Sequence, residues 1–145
     1  MIKNEKQYRI TKAQVRRFQD ALAELAGQAR PSNIGARLWE AQREAARSQL
    51  EELREQVEAY ERLNAGRSKE VVLEAVEDLP RALIRARIAA GITQEGLARR
   101  LGVKPQQVQR YEATEYESAS FARILKVVQA LGLSTPKAIR LVRKG

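Results

Sequence analysis

The chain has 145 residues, with 27 Lys and Arg against 18 Asp and Glu and a formal net charge of +9 at pH 7. It contains neither cysteine nor histidine, which excludes disulfides, thiolate catalysis and thiolate zinc sites and removes the commonest general base and metal ligand. No segment approaches the roughly 18 apolar residues of a membrane span, and the opening MIKNEKQYRI lacks the apolar core of a signal peptide, so a cytoplasmic protein without a membrane partner is expected.

The chain reads as all-α, with an N-terminal helical hairpin over residues 1–68 and a second domain over residues 69–145. In the first helix Thr11 and Gln14 have capping-box spacing, and Ile10 and Val15 stand where a hydrophobic staple would bridge the entry. An apolar stripe follows at Val15, Phe18, Leu22 and Leu25, ending at Gly27 and Arg30-Pro31-Ser32-Asn33. A longer helix is expected from about Ile34 to Leu63. Its later half carries Leu50, Leu53, Val57 and Tyr60 at coiled-coil-like spacing among glutamates and arginines. An isolated helical hairpin buries little. That stripe therefore belongs to the core, to a homodimer seam or to a partner surface, and the residues leave the three open.

Asn64-Ala65-Gly66-Arg67-Ser68 breaks the pattern, and Val71-Val72-Leu73 fits either a short strand or a helical lead-in. Five short helices follow: about Leu79–Ala90 with Asp78 as N-cap, Gln94–Leu101 capped by Thr93, Pro105–Glu112, Phe121–Leu131 with Leu125, Val128 and Leu131 as its stripe, and Pro136–Val142. Charge separates along the same boundary. Up to Asp78 there are 14 basic and 14 acidic residues, and from Leu79 onward 13 and 4. A basic segment of this kind suits phosphate binding.

Residues 94–113, QEGLARRLGVKPQQVQRYEA, form two helices around a turn in which Gly102 supplies a positive φ. Leu97, Ala98, Leu101, Val103, Val108 and Tyr111 are the apolar positions that hold the pair together. With Val108 taken as the core direction, a rotation of about 100° per residue turns Gln106 and Arg110 straight outward, flanked by Gln107 and Gln109. Glutamine pairs with adenine edges and arginine with guanine edges in the major groove. Gln106, Gln109 and Arg110 are the candidate base readers.

This pair resembles the helix-turn-helix of the lambda-repressor/Cro-like (XRE) family over about residues 79–133. The resemblance implies a five-helix DNA-binding domain, no enzymatic activity, no cofactor and no metal, with double-stranded DNA as partner. It also implies a phosphate contact by Gln94 and a structural ion pair between Arg87 and Glu112; Lys104 and Gln107, at the start of the second helix, are the further candidate phosphate-positioning residues. The loop Ala113–Ser118 departs from the family by carrying Glu115 and Glu117. Either it points away from phosphates, or Tyr116, Ser118 and Ser120 donate hydrogen bonds there. Gly96 inside a helix has no evident reason. The whole-chain arrangement resembles HigA-type antitoxins, which implies a homodimeric repressor of its own operon, bound to a palindromic operator, with a cognate toxin as further partner. A stand-alone regulator and a helical interaction module that does not bind DNA are the competing readings.

Overall fold

The computed structural model describes residues 1–66, 70–134 and 140–143. Among the described residues the chain is all-α, with six α-helices, one 3₁₀ turn and no strand. It divides into two units, Met1–Arg67 and Ser68–Gly145.

The first unit is a hairpin of α1 (Glu5–Gly27) and α2 (Ala36–Asn64). Helix α1 starts six residues before Thr11, because Asn4 caps it: its extended backbone turns the side chain to accept from Gln7 N at 2.9 Å. Gln7 Oε1 in turn accepts from Lys3 N at 2.8 Å. The spacing that Thr11 and Gln14 imitate is thus used seven residues earlier, and those two lie inside the helix. Ile10 is half exposed and lies with Val15 inside the helix, so the two do not staple its entry.

Leu50, Leu53, Val57 and Tyr60 are buried, each at 9% exposure or less. They are covered within a single copy, which corrects their candidacy as a free dimer or partner surface. Where the free ends of the hairpin meet, Tyr8 stacks on Tyr60 with ring centroids 5.1 Å apart. Tyr8 Oη donates to Glu61 Oε1 at 2.6 Å, and Lys12 Nζ donates to both Tyr8 Oη (2.6 Å) and Glu61 Oε1 (3.1 Å). Toward the turn the packing loosens: Val15, Phe18, Leu22 and Leu25 are only half-buried, and α1 has no fully buried residue.

The second unit contains α3 (Leu79–Ala89), α4 (Gln94–Leu101), α5 (Pro105–Ala113) and α6 (Phe121–Ala130). A 3₁₀ turn, Val76–Asp78, leads into α3. Asp78 therefore has helical φ and ψ and makes no side-chain cap, where an extended N-cap was expected. Residues 71–73 are neither strand nor helix. Leu83, Ile84, Leu97, Ala98, Val108 and Val127 form the fully buried centre. On α6 the buried residue is Val127, whereas Leu125 of the expected stripe is exposed. The expected helix Pro136–Val142 falls partly on residues 135–139, which lie outside the described residues, and residues 140–143 have no regular structure.

Candidate nucleic-acid interface

The two helices that present the outward face are set by local chemistry. Thr93 Oγ1 accepts from Gly96 N at 2.9 Å and starts α4. A Cβ at Gly96 would stand 3.2 Å from that hydroxyl, so the unexplained glycine is the residue that leaves room for the cap. Gly102 ends α4 with φ 66° and ψ 34°, a left-handed conformation that side chains with a Cβ resist. Lys104, extended at φ −73° and ψ 146°, then leads into Pro105 at the start of α5. Lys104 is exposed.

Val108, Tyr111 and Glu112 are the buried side of α5, and Gln106, Gln107, Gln109 and Arg110 are all exposed. Lys104, Gln106, Gln107, Arg110, Tyr111 and Ser118 line one open concavity of about 540 Å³. Gln109 is outside it. Gln107 Nε2 donates to Tyr111 Oη at 2.7 Å, which fixes the amide and leaves the phenol O–H directed by an accepted hydrogen bond. The Tyr111 hydroxyl was not foreseen as part of this surface; its separation of four residues from Gln107 was the available sign.

Beneath the face lies a buried polar network. Arg87 Nε and Nη2 donate to the two oxygens of Glu112 at 2.5 and 2.8 Å, with the two side chains at 3% and 0% exposure. Arg87 Nη1 donates to Ile92 O at 2.7 Å, and Gln94 Nε2 donates to Glu112 Oε2 at 2.7 Å. One carboxylate on α5 is thereby tied to α3, to the α3–α4 turn and to the start of α4. Gln94 is 5% exposed. A phosphate contact from its side chain, expected from the sequence, is incompatible with this burial; its amide braces α5 instead.

The loop after α5 settles the places of Glu115 and Tyr116. Glu115 and Tyr116 have left-handed φ values of 49° and 62°. Arg81 Nε donates to both oxygens of Glu115 at 3.1 Å, so that carboxylate is paired with α3. Tyr116 is buried, stacked on Tyr111 with centroids 6.0 Å apart, which removes it as a donor to a ligand. Burial, with the Glu112 carboxylate adding to it, holds its phenol well above the usual tyrosine range. Ser118 remains at the rim, its Oγ 3.4 Å from Thr114 Oγ1.

No group of three or more acidic, histidine or cysteine side chains suited to a metal occurs among the described residues. No described helix is long and apolar enough to cross a membrane. Residues 83–137 match the helix-turn-helix family model HTH_3. That segment is similar to helix-turn-helix domains of the XRE/Cro-like kind. No curated protein and no solved structure matches the chain.

Proposed function

We propose that this chain is a sequence-specific transcriptional repressor that binds a two-fold symmetric operator as a homodimer. The observation that carries this reading is the outward face of α5, where Gln106 and Arg110 stand exposed over a basic concavity on a helix anchored by buried charge. Gln106, Gln109 and Arg110 read base edges, each good bidentate contact being worth about 1–3 kcal/mol of discrimination. Lys104 and Gln107 hold phosphates, joined by the exposed Ser118 hydroxyl at the rim of the concavity. One such reader makes too few contacts for useful specificity, and a second copy doubles them at fixed half-site spacing.

The antitoxin form of this reading adds repression of its own operon and assigns the hairpin of α1 and α2 to a cognate toxin. What favours it is the half-buried stripe Val15, Phe18, Leu22 and Leu25, together with Leu38, which is 56% exposed. Co-expression with the product of an adjacent small gene tests it: growth arrest by that product alone, relieved by this chain, supports the antitoxin, and no arrest leaves a stand-alone regulator. The repressor reading itself is tested by enriching bound sites from random duplex DNA. It predicts a palindromic consensus; recovery of unenriched sequence contradicts it.

A further inference from the structure

The hairpin of α1 and α2 has one charged flank and one without charge. On each helix the residues that face the other helix recur at steps of three and four, so the rows on either side of that seam recur every seven, about 80° away from it. One row carries charge at Lys12, Glu40, Arg47, Arg54 and Glu61, and it closes ion pairs within the copy: Lys12 with Glu61 at 3.1 Å and Arg47 with Glu40 at 3.7 Å. The other row holds Gln7, Gln14 and Ala21 on α1 and Gln42, Gln49 and Gln56 on α2, with no charge at any position. Antiparallel helices bring like rows together, and the Lys12–Glu61 pair sets the charged rows side by side. The uncharged rows therefore share the opposite face of the hairpin.

A hairpin that stands alone in water is expected to carry charge on both flanks. Here Gln14, Gln42 and Gln49 are exposed and Gln56 is half-buried, and their side-chain amides have no hydrogen-bond partner among the described residues. Gln7 differs, since its Oε1 accepts from Lys3 N. One row further out on the same face stand Ile10, 50% exposed, and Leu38, 56% exposed. The charges of that outer row are Arg17, Glu24 and Glu52, all exposed and without an ion-pair partner among the described residues. The register set by Tyr8 stacked on Tyr60 brings Arg17 level with Glu52 to within about a residue.

We propose that this uncharged face is the seam between two copies of the chain, whose hairpins pair into a four-helix bundle. An amide donates and accepts at once, so a row of glutamines is complementary to a second copy of itself, which a row of like charges is not. A two-fold axis parallel to the helices sets α1 of each copy over α2 of the other and preserves height along the bundle. Arg17 of each copy then meets Glu52 of the other at the rim of the seam, and the contact is made twice. The 23 residues of α1 span about 35 Å and two helices side by side about 20 Å. The face thus offers about 700 Å², close to the ~800 Å² that a stable interface covers on each partner. The inference rests on the dimeric reading proposed above and places its seam within the first unit.

Sedimentation equilibrium of the full chain without DNA tests it, with circular dichroism confirming that the helices are retained. The unmodified chain is expected to be a dimer. Gln49→Glu with Gln56→Glu keeps side-chain shape and helix propensity while setting like charges in the seam, and is expected to weaken the dimer by about tenfold or more. The same change in the charged row, Gln19→Glu, is expected to leave the dimer unaltered. At the rim, Arg17→Glu weakens the dimer and adding Glu52→Arg restores it. Should the double glutamate variant lose helicity, this exchange of exposed charges carries the test. A dimer indifferent to all the seam variants overturns this seam and leaves the dimeric reading standing, whereas a monomeric unmodified chain overturns both. A chain that is monomeric alone and forms a complex with the co-expressed product of an adjacent small gene, broken by Gln49→Glu with Gln56→Glu, assigns the face to that partner and likewise overturns the seam.

Discussion

Glu112 is a carboxylate with no solvent exposure, and it is tolerated because Arg87 and Gln94 close three charge-assisted hydrogen bonds on it. Breaking a buried pair from one side strands the other charge, at a cost of about 3–5 kcal/mol. Glu112→Ala is therefore expected to lower unfolding stability on that scale in urea denaturation. The double variant Arg87→Met with Glu112→Leu is expected to lose much less than the sum of the single losses, because no charge is left unpaired. Equal and additive losses would mean that the pair is not coupled. The residues of this network show how far the sequence could be read. The Arg87 and Glu112 positions were legible, since both fall at places that a helix-turn-helix reserves for them. The burial of Gln94 was not, because its fate depends on where the Glu112 carboxylate lies in space and no spacing within α4 encodes that.

At the scale of the helices, caps and turns decided what could be read. Thr93, Gly102 and Pro105 mark boundaries with side-chain or backbone chemistry of their own, and the structure places α4 and α5 where those residues put them. Thr93→Ala removes the hydrogen bond to Gly96 N and is expected to cost about 1 kcal/mol in thermal or urea unfolding; an unchanged midpoint would dismiss the cap. The start of α1 was less legible, since Asn4 and Thr11 offer the same spacing to a glutamine, and the structure uses Asn4. The clasp of Tyr8, Lys12 and Glu61 was invisible in sequence, being formed across residues 53 and 49 apart. Hydrogen bonds from Tyr8 and then Lys12 hold the Glu61 carboxyl below its usual range. Hydrogen bonds to Tyr8 and then Glu61 raise the Lys12 ammonium above its usual value. A depressed carboxylate contributes stability that is present above its unfolded pKa and lost as pH falls through the folded one; a raised ammonium contributes stability below its unfolded pKa that is lost as pH rises through the folded one. The thermal midpoint of Glu61→Gln should accordingly fall less steeply toward acid than that of the unmodified chain, and parallel curves would remove the clasp from the account.

Across the whole molecule the excess positive charge is confined to the stretch from Leu79 onward, the stretch that carries the helix-turn-helix domain. Phosphate contacts release counterions, so affinity for duplex DNA should fall log-linearly with salt. Lys104→Ala is expected to flatten that dependence by a slope of about 0.9, the share of one phosphate, in anisotropy titrations over a salt series. An unchanged slope would place Lys104 away from the backbone. Buried apolar centres of this kind are foreshadowed by helical periodicity, whereas the exposed faces on α6 and on residues 70–77 become apparent only when burial is measured. The central claim is that α5 distinguishes bases with its outward side chains, and the most direct measurement of it is site enrichment from random duplex DNA repeated with Arg110→Ala and Gln106→Ala beside Lys104→Ala. The account predicts that the first two relax preference at one or two positions in each half-site, while Lys104→Ala weakens every site alike and leaves the consensus intact. Uniform weakening by all three, with one unaltered consensus, would contradict it.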